Sequence, residues 1–116
     1  MACPRPRGKV AVHKLMLLFK KTDDPLELER LWSERFVKRA ERMPGLRRVA
    51  VSRVVGGPEP EDDLHLIHEF YFDDMAALQE AMASPEGQDA GRALMSFAAG
   101  AVKVYFAEHL EEPRGG

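Results

Sequence analysis

The sequence predicts an α+β domain with strands and helices in the order β-α-β-β-α-β. Three observations carry that prediction. Two stretches begin like helices, Asp24-Pro25 with Glu27 close behind, and Ser84-Pro85-Glu86. Four runs rich in branched and aromatic residues lie around them, at 9–20, 46–55, 64–72 and 101–107. The chain has 116 residues, of which 45% are hydrophobic and 31% charged, the profile of one soluble globular domain.

Residues 1–8 hold two prolines and a glycine and read as a tail before a domain spanning 9–110. In the first strand, 9–20, Leu15, Leu17 and Phe19 alternate with Met16 and Leu18. Both sets are apolar, as in a sheet covered on both faces. Asp24 can cap the first helix, Pro25 suits its first position, and Glu27 completes a capping box. Leu28, Leu31, Trp32, Phe36, Ala40 and Met43 follow at helical spacing as one apolar stripe. Pro44-Gly45 ends the helix, 46–55 is a strand, and 56–63 is a loop rich in Gly, Pro and acid.

The third strand, 64–72, alternates cleanly. Leu64, Leu66, His68, Phe70 and Phe72 form one face, and His65, Ile67, Glu69 and Tyr71 the other. Asp73 or Asp74 caps a helix carrying Met75, Leu78 and Met82. Ser84 and Pro85 restart helix to about Ala98, and Gly100 breaks it. The last strand, 101–107, sends Val102, Val104 and Phe106 one way and Lys103 and Tyr105 the other. Residues 111–116 read as a second tail.

This order is the ferredoxin-like split βαβ arrangement, a four-stranded antiparallel sheet with the helices on one face. The other face carries Met16, Leu18, Ile67 and Tyr71. A monomer would leave that patch wet, so a second copy is expected to cover it, burying more than ~1,000 Å².

Charge is uneven along the chain. Residues 1–53 hold 14 basic and 6 acidic side chains, and 54–116 hold 3 and 13. Either the halves interleave in space, or subunits meet through complementary charge, or the first half is a nucleic-acid patch. Acidic residues among the helix arginines and the lack of a binding motif argue against the last. No apolar run approaches the ~18–20 residues that span a bilayer, so no membrane partner is expected. One cysteine, Cys3, excludes an intramolecular disulfide and a Cys-rich metal centre, and makes a reducing cytoplasm the default.

Several stretches together resemble the EthD family, over roughly residues 13–109. They are Lys14 to Lys20, Pro44-Gly45-Leu46-Arg47-Arg48, Glu69-Phe70-Tyr71-Phe72-Asp73, Ser84-Pro85-Glu86-Gly87-Gln88 and Phe97-Ala98. The resemblance implies a dimeric α/β barrel, in which two ferredoxin-like sheets pair and each subunit keeps a ligand pocket between sheet and helices. It also implies a link to bacterial ether degradation. The wider group includes monooxygenases, lactone isomerases, polyketide cyclases and haem-degrading enzymes. In the family's first helix an aromatic residue precedes a His-x-Pro segment. Trp32 matches the aromatic, but Phe36 stands at the His position and Lys38 at the Pro position. The haem-degrading relatives' helix histidine falls at Ala81-Met82, which leaves no axial ligand.

His68 is the histidine on the helix-facing side, near mid-strand. It is a candidate catalytic base, or else a core histidine satisfied by a backbone carbonyl. Trp32, Phe36, Leu17, Phe19, Phe70, Phe72 and Met82 are the candidate walls of an apolar ligand pocket, or core. His65 and His68 are three apart on a strand and face opposite ways, so no shared metal is expected. Glu69 and Lys103 are an expected ion pair on the dimer side. Arg47, Arg48 and Arg53 are expected at strand edges. Gly56-Gly57 has no helix after it and makes no phosphate loop. No dinucleotide fingerprint is present, so no cofactor or metal is expected. Two function classes follow. One is a cofactor-independent enzyme of monooxygenase, isomerase or cyclase type acting on a small apolar or aromatic molecule. The other is a non-catalytic small-molecule-binding or stress-related dimer.

Overall fold

Both helix starts form as their residues dictate. In the computed structural model, which describes residues 10–59 and 63–112, the Asp24 carboxylate accepts from the Glu27 N–H at 3.1 Å and opens α1 (Pro25–Leu31). Only half of the capping box forms. Glu27 turns its carboxylate to Arg30 instead, at 2.5 and 2.9 Å. Asp74, not Asp73, caps α3 (Met75–Ala83), accepting from Ala77 N–H at 2.8 Å. Ser84 caps α4 (Pro85–Ala98) by accepting from Gly87 N–H at 3.0 Å. Gly100, at φ +81°, makes the left-handed turn after α4.

The strands are β1 (Val10–Lys20), β2 (Arg48–Arg53), β3 (Leu64–Phe72) and β4 (Val102–Glu111). They pair antiparallel in the order β2-β3-β1-β4, and the helices lie on one face, so the fold is α+β and ferredoxin-like. The register sets Leu17 opposite His68 on one side and Val104 on the other. Leu15, Leu17, Phe19, Leu66, Phe70 and Phe72 therefore share the helix face, and all are buried.

Two expectations are corrected here. The last strand runs to Glu111, four residues beyond Ala107. The 11-residue β1 keeps offering backbone partners, and Ala11, Val12 and Val10 pair with Leu110, His109 and Glu111. Backbone pairing outweighs the polar side chains of this end. The expected tail 1–8 and residues 113–116 lie outside the described residues.

Second, Glu69 pairs with Lys14, not Lys103. Lys14 sits on the neighbouring strand, diagonal to Glu69, whereas Lys103 lies on β4 with β1 in between.

The uneven charge is explained by pairing across the fold. Lys14–Glu69, Arg39–Asp89 (3.2 Å), Arg47–Asp73 (2.7 Å) and Arg48–Glu111 (3.2 Å) each join a base of the first half to an acid of the second. Of the three readings of the charge, interleaving is what the fold displays.

Candidate functional site

The first helix is not uniformly α. Between α1 and α2 (Lys38–Ala40), residues Trp32–Val37 wind as a π-helix. The wider i→i+5 bonding shifts where each side chain points, and such segments concentrate at functional sites. Here it sets both Trp32 and Phe36 against β3. Trp32 meets the His68 ring edge-on at 5.4 Å between centroids, and Phe36 meets it edge-on at 5.8 Å. Phe70 lies against the same imidazole at 4.2 Å.

His68 is 0% exposed in this aromatic box. Trp32 Nε1–H donates to His68 Nδ1 at 3.1 Å. A nitrogen that accepts carries no proton, so the neutral imidazole holds its proton on Nε2. That Nε2 is buried with no hydrogen-bond partner. Burial away from water disfavours the charged form and lowers the pKa from 6.5 to about 4. At neutral pH this histidine can donate one hydrogen bond and cannot take up a proton readily. Its satisfied nitrogen is held by the indole of Trp32, not by a backbone carbonyl.

The open space is elsewhere on the same face. A cleft of about 450 Å³ lies between α4 and the β1–β4 side of the sheet. Leu15 and Leu17 form its floor, Phe36 and Met43 one wall, and Val104, 44% exposed, its β4 edge. The α4 wall is Gly87, Ala90, Gly91 and Leu94, with Met82 from α3 beside it. Its volume is within the ~300–1,000 Å³ usual for small-molecule sites.

Of the residues predicted to line a pocket, Leu17, Phe36 and Met82 do so. Phe19, Phe70 and Phe72 are fully buried core instead, and Trp32 covers His68. His68 does not line the cleft. Phe36, which touches both, stands between them. Sequence reasoning missed Leu15, Met43, Leu94 and Val104, and the whole α4 wall. A signal was present: Gly87, Ala90 and Gly91 recur at helical spacing and give one α4 face little side-chain bulk, with Leu94 next along it. Among the described residues no three His, Cys, Asp or Glu side chains gather as a metal site requires. No described helix is long and apolar enough to cross a membrane.

The EthD domain model matches residues 20–101, most of the chain and the whole of this site's helical wall. This chain belongs to the EthD family. An EthD family protein from Bacillus halodurans is similar in structure, with 31% identity and a TM-score of 0.80 over 84% of this chain and 98% of that one. An uncharacterised 11.0 kDa protein from the thcB-thcC intergenic region of Rhodococcus erythropolis is 24% identical over 84% of this chain and 94% of its own length. A dimeric protein of unknown function and ferredoxin-like fold from Bacteroides fragilis shares the fold, at 20% identity and a TM-score of 0.53. That match covers 87% of this chain and 95% of that one. In this EthD chain, Phe36 gives the cleft an apolar ring at the position the sequence resemblance assigns to a histidine. The cleft wall there carries no proton acceptor.

Proposed function

We propose that this EthD-family protein binds a small apolar or aromatic molecule in the cleft between α4 and the sheet. The carrying observation is the cleft itself, floored by Leu15 and Leu17 and walled by Phe36, Leu94, Met82 and Val104. A flat apolar ligand would remove these surfaces from water at about 25 cal/mol per Å². Methyl 2-naphthoate is a suitable neutral probe. Val104→Trp places an indole at the β4 edge of the cleft, where the residue is already part-exposed. The variant is expected to weaken probe binding at least about tenfold while melting within a few degrees of wild type. Unchanged affinity in Val104→Trp would reject this cleft as the site.

The cofactor-independent enzyme reading has one observation in its favour, the unpartnered Nε2–H of His68 behind Phe36. A ligand oxygen reaching past that ring would supply the missing acceptor, and His68 would then orient a carbonyl or phenolate.

The active unit is a homodimer through the open sheet face. Met16, Leu18 and Ile67 are half-buried there, and Tyr105 is 49% exposed. A second sheet would cover them and the Lys14–Glu69 pair beside them. Light scattering at micromolar concentration is expected to give about twice 13.0 kDa. Leu18→Glu should give the single-chain mass, and a monomeric wild type would refute the arrangement. The lone cysteine fits a reducing compartment, which we take to be the cytoplasm.

A further inference from the structure

The cleft has a charged neighbour. Arg92, on α4, lines the apolar cleft and also a second hollow of about 330 Å³ on the far side of the same helix turn. That hollow is lined by Arg35, Arg39, Asp89, Ala93 and Ser96 besides Arg92. Its single carboxylate is already engaged. Asp89 pairs with Arg39 at 3.2 Å, and Arg39 also donates to the Arg35 carbonyl at 2.6 Å.

Arg30, Arg39, Arg47, Arg48 and Arg53 each hold a carboxylate. Among the described residues the Arg92 guanidinium has no hydrogen bond or ion pair, and that of Arg35 makes no ion pair but feels the Glu27 carboxylate at longer range. The Arg92 guanidinium, which the cleft and the hollow share, therefore carries an uncompensated charge at the cleft's edge, with Arg35 on the hollow's side. A guanidinium stays charged at any working pH and offers a planar fork of donors that fits a carboxylate in two-point fashion.

We propose that the cleft's occupant is an amphipathic anion: a small apolar body in the cleft with a carboxylate at the mouth, held by Arg92 and drawn by Arg35. This rests on the cleft reading and adds the ligand's charge class to it. Nothing apolar in the cleft calls for a cation there, and an uncharged ligand would leave Arg92 unused.

The test compares 2-naphthoate with its methyl ester by calorimetry, on the wild-type protein and on Arg92→Gln. Arg92 is exposed, so the substitution leaves the core intact. The acid is expected to bind about tenfold more tightly than the ester, and raising the salt concentration should shrink that margin. Arg92→Gln should erase the margin and leave the ester's affinity as it was. Equal binding of acid and ester by wild type overturns the anion proposal while the cleft reading stands. So does a preference for the acid that survives in Arg92→Gln. Binding of neither compound overturns the cleft reading, and the anion proposal with it.

Discussion

The protein is expected to lose about 3 kcal/mol of stability as pH falls from about 6.5 to about 4, and His68→Leu to lose little over the same range. The folded state holds His68 neutral, with a pKa depressed from 6.5 to about 4. The unfolded chain protonates its histidine first. Between those two values the unfolded state binds more protons, so stability falls as pH falls. Above 6.5 both states are neutral and the contribution is complete. At ~1.4 kcal/mol per pKa unit, the interval amounts to about 3 kcal/mol. Trp32, Phe36 and Phe70 around the ring bear no charge, so nothing in the box offsets a proton there. The carboxylates of Glu29 and Asp73 are held below their usual range by hydrogen bonds from Arg53 and Arg47, and that of Glu111 by the neighbouring His109 and Arg48 side chains. Their stabilising effect is lost only at the acid end of the window and below it. Urea unfolding at fixed protein concentration across this pH range is the measurement. Parallel losses in wild type and His68→Leu would refute the assignment. The same variant separates the two functional readings. Unchanged affinity for methyl 2-naphthoate marks His68 as structural, and lost affinity marks it as a ligand donor.

Gly87→Ala is expected to cost about 3 kcal/mol or more and to lower the melting temperature by on the order of 10 °C. A Cβ at this position would collide with the Ala81 carbonyl oxygen and lie 2.8 Å from that of Met82 and 2.9 Å from Met82 Cα. All three are backbone atoms and cannot rotate aside. The junction is also tied down. The Ser84 hydroxyl donates to Ala81 O at 2.5 Å and accepts from Gly87 N–H at 3.0 Å, and Gln88 Nε2 donates to Met82 O at 3.1 Å. Relief requires α4 to move away from α3, which would also reshape the cleft that both helices line. Gly91, one turn on, has open space around its Cβ position. Gly91→Ala should be neutral or stabilise by ~0.5–1 kcal/mol through helix propensity. Equal melting temperatures for the two variants would contradict this account of the α3–α4 contact.

The amino-acid sequence by itself determined the elements and their faces. Asp24 and Ser84 with their following prolines start helices because they satisfy orphan N–H groups within a few residues. The alternation of 64–72 places Leu66, His68, Phe70 and Phe72 inward, and all four are fully buried. These are short-range facts, written in neighbouring residues. The tertiary structure alone decided the rest. Periodicity marks Phe19, Phe70 and Leu17 as one face but does not say which of them a helix covers. That depends on where α4 crosses the sheet, which the close backbone approach of α4 to α3 at Gly87 helps to fix. The π-helical winding at Trp32–Val37 has no local signature, and the Trp32–His68 bond it permits joins residues 36 apart. The choice of Lys14 over Lys103 as partner of Glu69 follows from strand order, a property of the sheet. Local hydrogen bonding and side-chain alternation act over a few residues and are legible in the chain. The position of a cleft is set by distant surfaces meeting, and no short stretch of sequence encodes it.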